Sequence, residues 1–129
     1  MIVLDASAVV EVLMHSGMGA ILNHQLRRTH LVHAPHVLDL EVTGALRRQC
    51  ARGSLSQDRA GKALEDFRNM RVLRHRHTPY LARIWEFRDN FTAYDACYLA
   101  LAEALGATLL TRDKALASAR LQRGNVEVI

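Results

Sequence analysis

The chain has 129 residues, half of them hydrophobic, and carries 17 Lys+Arg against 13 Asp+Glu for a net charge of +4. That length fits one domain with a core of its own. No run of about 18 apolar residues exists, which excludes a transmembrane helix, and the first acid arrives at Asp5 with no basic stretch before it, so a secretory leader is not expected. Cys50 and Cys97 have no CxxC partner and no histidines at zinc spacing. They read as reduced thiols of a cytoplasmic protein. Lys62 and Lys114 are the only lysines, so the positive charge is mostly arginine, whose planar fork suits phosphate.

Residues 2–5 form a short apolar strand that ends in Asp5. Ser7 is placed to cap a helix beginning at Ala8, with Val9, Val10 and Leu13 on its apolar side and Gly17 as its break. Residues 18–28 read as a second helix with Met18, Ile21, Leu22 and Leu26 on one face. A weak strand at 31–34 stops at Pro35. Residues 36–52 carry a helical stripe of Leu38, Val42, Ala45, Leu46 and Cys50, with Glu41 beside it. Ser56 caps the next helix, where Ala60, Ala63, Leu64 and Phe67 repeat. Val72-Leu73 is a third strand, and Pro79 opens a helix to about residue 89 with Leu81, Ile84 and Trp85 inward.

The stretch 92–113 is the clearest. Thr92 is an N-cap, Asp95 lies where a capping box places an acid, and Gly106 is the C-terminal stop. A strand over 107–111 follows, with Asp113 just past its end. Residues 114–121 suggest a last helix, Gly124-Asn125 a turn, and 126–129 a final strand. Strands alternate with helices throughout, which predicts an α/β/α sandwich around a mainly parallel sheet of about four to five short strands.

In an open parallel sheet, ligands gather outside the carboxyl ends of the strands. Asp5 and Asp113 end strands there, Asp95 opens a helix at that edge, and Glu41 lies in the second turn of a helix that starts nearby. Four carboxylates converging on one point repel one another unless neutralised. Mg²⁺ or Mn²⁺ does so with oxygen ligands, needs only one or two carboxylates, and acidifies a water for attack on a phosphodiester. Ser7 and Thr111 add hydroxyls. Each acid also has a purely structural reading: Asp5 and Asp113 as caps, Asp95 as a first-turn acid favoured by the helix dipole, Glu41 as a surface residue. Their shared placement favours the functional one. Asp39, about opposite Glu41 on its helix, reads as solvated.

The segments 1–8 (MIVLDASA), 38–42 (LDLEV), 94–103 (YDACYLALAE) and 109–113 (LLTRD) resemble the PIN-domain family, and within it the VapC ribonuclease toxins of toxin–antitoxin pairs. The resemblance covers nearly the whole chain and implies a single nuclease domain over 1–129. It further implies an Mg²⁺- or Mn²⁺-dependent endoribonuclease that cuts tRNA or rRNA, with Asp5, Glu41, Asp95 and Asp113 as catalytic, metal-binding acids and Ser7 and Thr111 in support. A cognate antitoxin, a homodimer or a toxin–antitoxin hetero-oligomer, and no membrane association are also implied. In that family the antitoxin enters a groove between helices such as 38–50 and 60–67.

Arg112, between Thr111 and Asp113, is the candidate RNA contact; Arg47, Arg48 and Arg52 cluster on the long helix, and the run of basic residues from 68 to 77 reads as solvated. His75-Arg76-His77 is the one HxH arrangement and a weak zinc candidate. The alternative reading is a catalytically silent module of the same fold that binds RNA or antitoxin without cutting. A phosphotransfer domain with an aspartyl nucleophile fits less well, because Asp5-Ala6-Ser7 lacks a second acid two residues on.

Overall fold

A computed structural model describes residues 1–28 and 31–129, leaving the side chain of Met18 outside the description. Five strands form one sheet: β1 (Ile2–Leu4), β2 (Val32–Pro35), β3 (Val72–His75), β4 (Thr108–Thr111) and β5 (Asn125–Val128), in the order β3-β2-β1-β4-β5. Every pairing is parallel, with Val3 opposite His33 on one side and Leu109 on the other. β1 and β4 are apolar runs because they are covered on both faces.

The connections explain where the helices lie. From β1 the chain moves outward to β2 and β3 through α1 (Ala6–Leu13), α2 (Gly17–Arg27), α3 (Val37–Ala51) and α4 (Gln57–Asn69). It then returns across the sheet to β4 through a 3-10 turn (Thr78–Tyr80), α5 (Leu81–Glu86) and α6 (Ala93–Leu105). Right-handed crossovers in opposite directions put the two sets on opposite faces. The order reverses between β1 and β4, which opens a crevice at their carboxyl ends. α6 packs on β1, β2 and β4, and its run Ala96–Ala102 is buried residue by residue.

Several local expectations hold. Thr92 Oγ1 accepts from Asp95 N at 3.2 Å, and Gly106 closes α6 at φ 61°, a left-handed geometry that glycine adopts cheaply. Ser56 caps α4, and Leu38, Val42, Leu46, Ala63 and Phe67 are buried.

Others are corrected. The N-cap of α1 is Asp5, not Ser7, so the helix starts two residues earlier. α1 ends at a left-handed His15, and Gly17 begins α2 under a Ser16 cap. Gly19 then crosses α1 so closely that a Cβ would sit 2.1 Å from Glu11 O. Ile21 is exposed, and Pro35 is the last residue of β2. The helix expected to reach residue 89 is the six-residue α5, with Phe87 inward and Leu81 (54% exposed) and Trp85 (67%) outward. The last helix is only a 3-10 turn, Lys114–Ser118. Asp39 is not simply solvated: it accepts from Arg74 Nε at 2.8 and 3.0 Å.

One ion pair ties α5 to α6. Arg83 donates to both oxygens of Glu103 at 2.8 and 3.0 Å and lies 4.2 Å over the Phe87 ring, while Gln122 N donates to Glu103 at 2.7 Å. These bonds, led by Arg83, hold the Glu103 carboxyl below its usual range against the opposing effect of burial. A lowered folded-state pKa contributes stability above the unfolded value and loses it as pH falls. Glu103→Gln is therefore expected to cost about 1–2 kcal/mol at pH 7 in urea unfolding, and less as the pH is lowered below the ordinary glutamate range.

Candidate active site

Asp5 is the innermost of the four acids, 7% exposed at the end of the central strand. Its oxygens are held from three directions. Oδ1 accepts from Ala8 N at 2.9 Å and from Ser7 Oγ at 2.6 Å, and Oδ2 accepts from Thr111 Oγ1. Charge-assisted bonds of this kind are shorter and stronger than neutral ones. The same hydroxyls extend the network. Ser7 Oγ accepts from Arg112 N at 2.9 Å, and Thr111 Oγ1 accepts from Asp113 N at 3.0 Å. The backbone after β4 is thereby fixed to the turn after β1.

Asp113 is exposed and caps the following 3-10 turn, accepting from Ala115 N at 2.9 Å. Asp95, in the first turn of α6, is half-buried. Burial, then the charge of Asp113, then that of Asp5 push its carboxyl up, against the opposing effect of Thr92. Burial, then Asp95, then Asp5 push Glu41 up to about 6, against Arg48. Glu41 thus feels Asp95 and Asp5, and Asp95 also feels Asp113, so the acids supplied from the ends of β1 and β4 and from α3 and α6 are linked. Glu41 Oε1 is buried and has no hydrogen-bond partner among the described residues. The Tyr98 hydroxyl, also buried, has none either.

A cleft of about 630 Å³ lies over this edge between α1 and α3. Ser7 and Glu41 line it together with Glu11, Arg48, Tyr94 and Arg112. Arg112 is where expected, with its Nε 3.6 Å from Glu11 Oε1. Arg48 comes to the site out of the basic cluster on the long helix. Glu11 and Tyr94 were not expected: nothing in their local pattern sets them apart from surface residues, and only the packing of α1 and α6 brings them here. Of the basic run 68–77, Arg74 is engaged with Asp39, and His75 Nε2 meets His33 Nδ1 at 2.9 Å across β2 and β3.

The donor set is carboxylate and hydroxyl oxygen, which suits a hard divalent ion and not zinc. The unpartnered Glu41 Oε1 is a free oxygen donor of that type. Among the described residues no three His, Cys, Asp or Glu side chains are already gathered as a metal cage. An ion that keeps several waters needs only one or two of these carboxylates.

Comparison with known proteins converges on one family. Residues 2–121 match the family model described as PIN domain. Ribonuclease VapC1 of Mycobacterium tuberculosis is 42% identical over 118 residues, covering 91% of this chain and 89% of its own. Among solved structures, the PAE2754 protein of Pyrobaculum aerophilum superimposes with a TM-score of 0.75 at 20% identity, covering 97% of this chain and 87% of that one. The sarcin–ricin-loop-cleaving toxin VapC20 of Mycobacterium tuberculosis gives 0.71 at 15% identity, covering 94% and 96%.

The raised carboxyl of Glu41 has a consequence for the metal-free protein. A folded-state value of about 6 against an ordinary 4.5 means that ionised Glu41 opposes folding. Its contribution is favourable below about 4.5 and is lost as pH rises through 6. With solvent screening discounting the full shift, Glu41→Gln is expected to stabilise the metal-free protein by about 1 kcal/mol at pH 7 and by little at pH 4.5. Thermal unfolding in EDTA at the two pH values measures this.

Proposed function

The chain belongs to the PIN-domain family, and on that premise we propose that it is an endoribonuclease toxin of a toxin–antitoxin pair, dependent on Mg²⁺ or Mn²⁺. The observation that carries the reading is the coupling of Asp5, Glu41, Asp95 and Asp113 at the β1/β4 crevice under a cleft with arginines on its rim. Repulsion in such a cluster lowers stability and gives no structural return. It is explained if a cation is to be held there.

The residues divide the work. Asp5, fixed by Ala8 N, Ser7 and Thr111, is a rigid anchor whose charge does not have to be reoriented during reaction. Asp95 and Asp113 meet it from α6 and from the end of β4. Glu41 offers Oε1. When bound at these acids, Mg²⁺ or Mn²⁺ supplies charge neutralisation and an acidified water for hydrolysis. Arg112, whose backbone is pinned to Ser7, and Arg48 on the facing helix hold backbone phosphates from either side of the cleft. They also limit where a polyanion can lie over a set of acids that would otherwise repel it.

Relatives named as ribonucleases and a toxin named for cleaving the sarcin–ricin loop support RNA as substrate. We place tRNA or rRNA within reach, a cytoplasmic location, and a cognate antitoxin. The apolar stripes of α3 and α4 serve the core, with Leu38, Val42, Leu46, Ala63 and Phe67 buried, so an antitoxin that enters between these helices would meet their remaining side chains. The outward Trp85 on α5 is exposed apolar surface that a homodimer would cover. No helix among the described residues is long and apolar enough to cross a membrane.

Purified protein is expected to cleave RNA with Mg²⁺ or Mn²⁺ and to stop on addition of EDTA. Asp5→Asn and Asp95→Asn should each lower the rate at least about a hundredfold, the scale of losing one charge-stabilising group, with a native circular dichroism spectrum. Full activity in either variant sinks the mechanism. Tight RNA binding without cleavage in any divalent metal selects the silent-module reading instead.

A further inference from the structure

Tyr94 stands directly before Asp95 on the first turn of α6 and is 63% exposed. Its ring makes no hydrogen bond and no ring contact with the described residues. The packing of α6 does not require it, because the helix turns its run Ala96–Ala102 into the core and leaves Tyr94 outside. Burying such a ring would have been favourable, so its position forgoes stability at the mouth of the site.

The ring also borders two depressions. It lines the cleft that holds Glu41, Arg48 and Arg112. It also lines a mostly apolar notch of about 200 Å³ with Val37, His77, Leu81, Ile84 and Cys97. Tyr94 therefore borders both a charged cleft suited to phosphate and a mostly apolar notch suited to a flat ring.

We propose that Tyr94 is the platform on which an unpaired base beside the scissile phosphate stacks. A paired base has both faces covered by its neighbours and offers neither to Tyr94, whereas an unpaired base can be splayed onto an aromatic side chain. Stacking of this kind tolerates any base, because every base has a π-face. Arg48, exposed and without an ion pair among the described residues, then holds the phosphate across the cleft. Tyr94 acts on substrate placement and not on the hydrolytic step. The identity of the strand rests on the ribonuclease reading, but stacking needs no hydrolysis, so the two can fail separately.

The test uses short oligoribonucleotides with a single 2-aminopurine moved through an unpaired segment. Fluorescence is read on mixing, before cleavage accumulates, in Mn²⁺ and in EDTA. The wild type and Tyr94→Phe should quench the probe at one position, and Tyr94→Ala should abolish that quench and weaken binding about 5- to 150-fold. The same probe locked in a duplex should not be quenched. Quenching by the wild type with no cleavage in Mn²⁺ would leave stacking standing and remove the ribonuclease reading. An unchanged quench and affinity in Tyr94→Ala, no quench by the wild type at any position, or equal quenching of the duplex probe would each overturn the proposal.

Discussion

The mutual repulsion of the carboxylates around Asp5 is the constraint that the rest of the structure accommodates. Asp5 is buried at the end of the central strand, where an unpaired charge would cost several kcal/mol. It is tolerated because Ala8 N, Ser7 Oγ and Thr111 Oγ1 all donate to it. Those donors belong to two segments that meet only because β1 and β4 are neighbours. The bond from Arg112 N to Ser7 Oγ and the bond from Asp113 N to Thr111 Oγ1 lock the same two segments. Asp5 is thus both the helix cap that begins α1 and the charge that the site is built around. Its helix-cap reading and its functional reading are one arrangement.

Burial falls from Asp5 outward through Glu41 and Asp95 to Asp113, which is exposed. The inner acid is satisfied by the protein itself. Glu41 keeps an oxygen without a partner and has its carboxyl pushed up to about 6. Stabilisation has therefore been given up at Glu41 and Asp95 and recovered elsewhere, for example in the Arg83–Glu103 pair that joins α5 to α6 on the opposite face of the sheet from α1–α4. Electrostatics also organises the rim. The net charge of +4 says little by itself. What matters is that Arg48 and Arg112 face the cleft while Arg74 is occupied by Asp39.

Much of this was legible from residue order alone. Strand-ending acids, the Thr92 cap and the Gly106 stop are local signals, and a parallel sheet converts them into a shared edge. Glu41 was readable from its place one turn into the helix after Pro35. The misreadings share a cause: they lie where packing outweighs local pattern. Gly17 looks like a helix break, but Gly19 is the residue that α1 needs for close approach, so the break moves to His15. Leu81 and Trp85 look inward by period, but α5 is too short to cover them and Phe87 takes the core position. Tyr94 and Glu11 carry no periodic signal for the cleft, since it forms only between elements distant in sequence.

The central claim is that these four acids hold a divalent cation, and a crystal of the protein soaked in Mn²⁺ tests it without reference to any substrate. Anomalous density is expected among the carboxylates of Asp5, Glu41, Asp95 and Asp113, with at least one of them in direct coordination and the density absent in an Asp95→Asn crystal. A fully soaked crystal with no manganese at that edge, or with manganese only elsewhere on the molecule, would contradict the account.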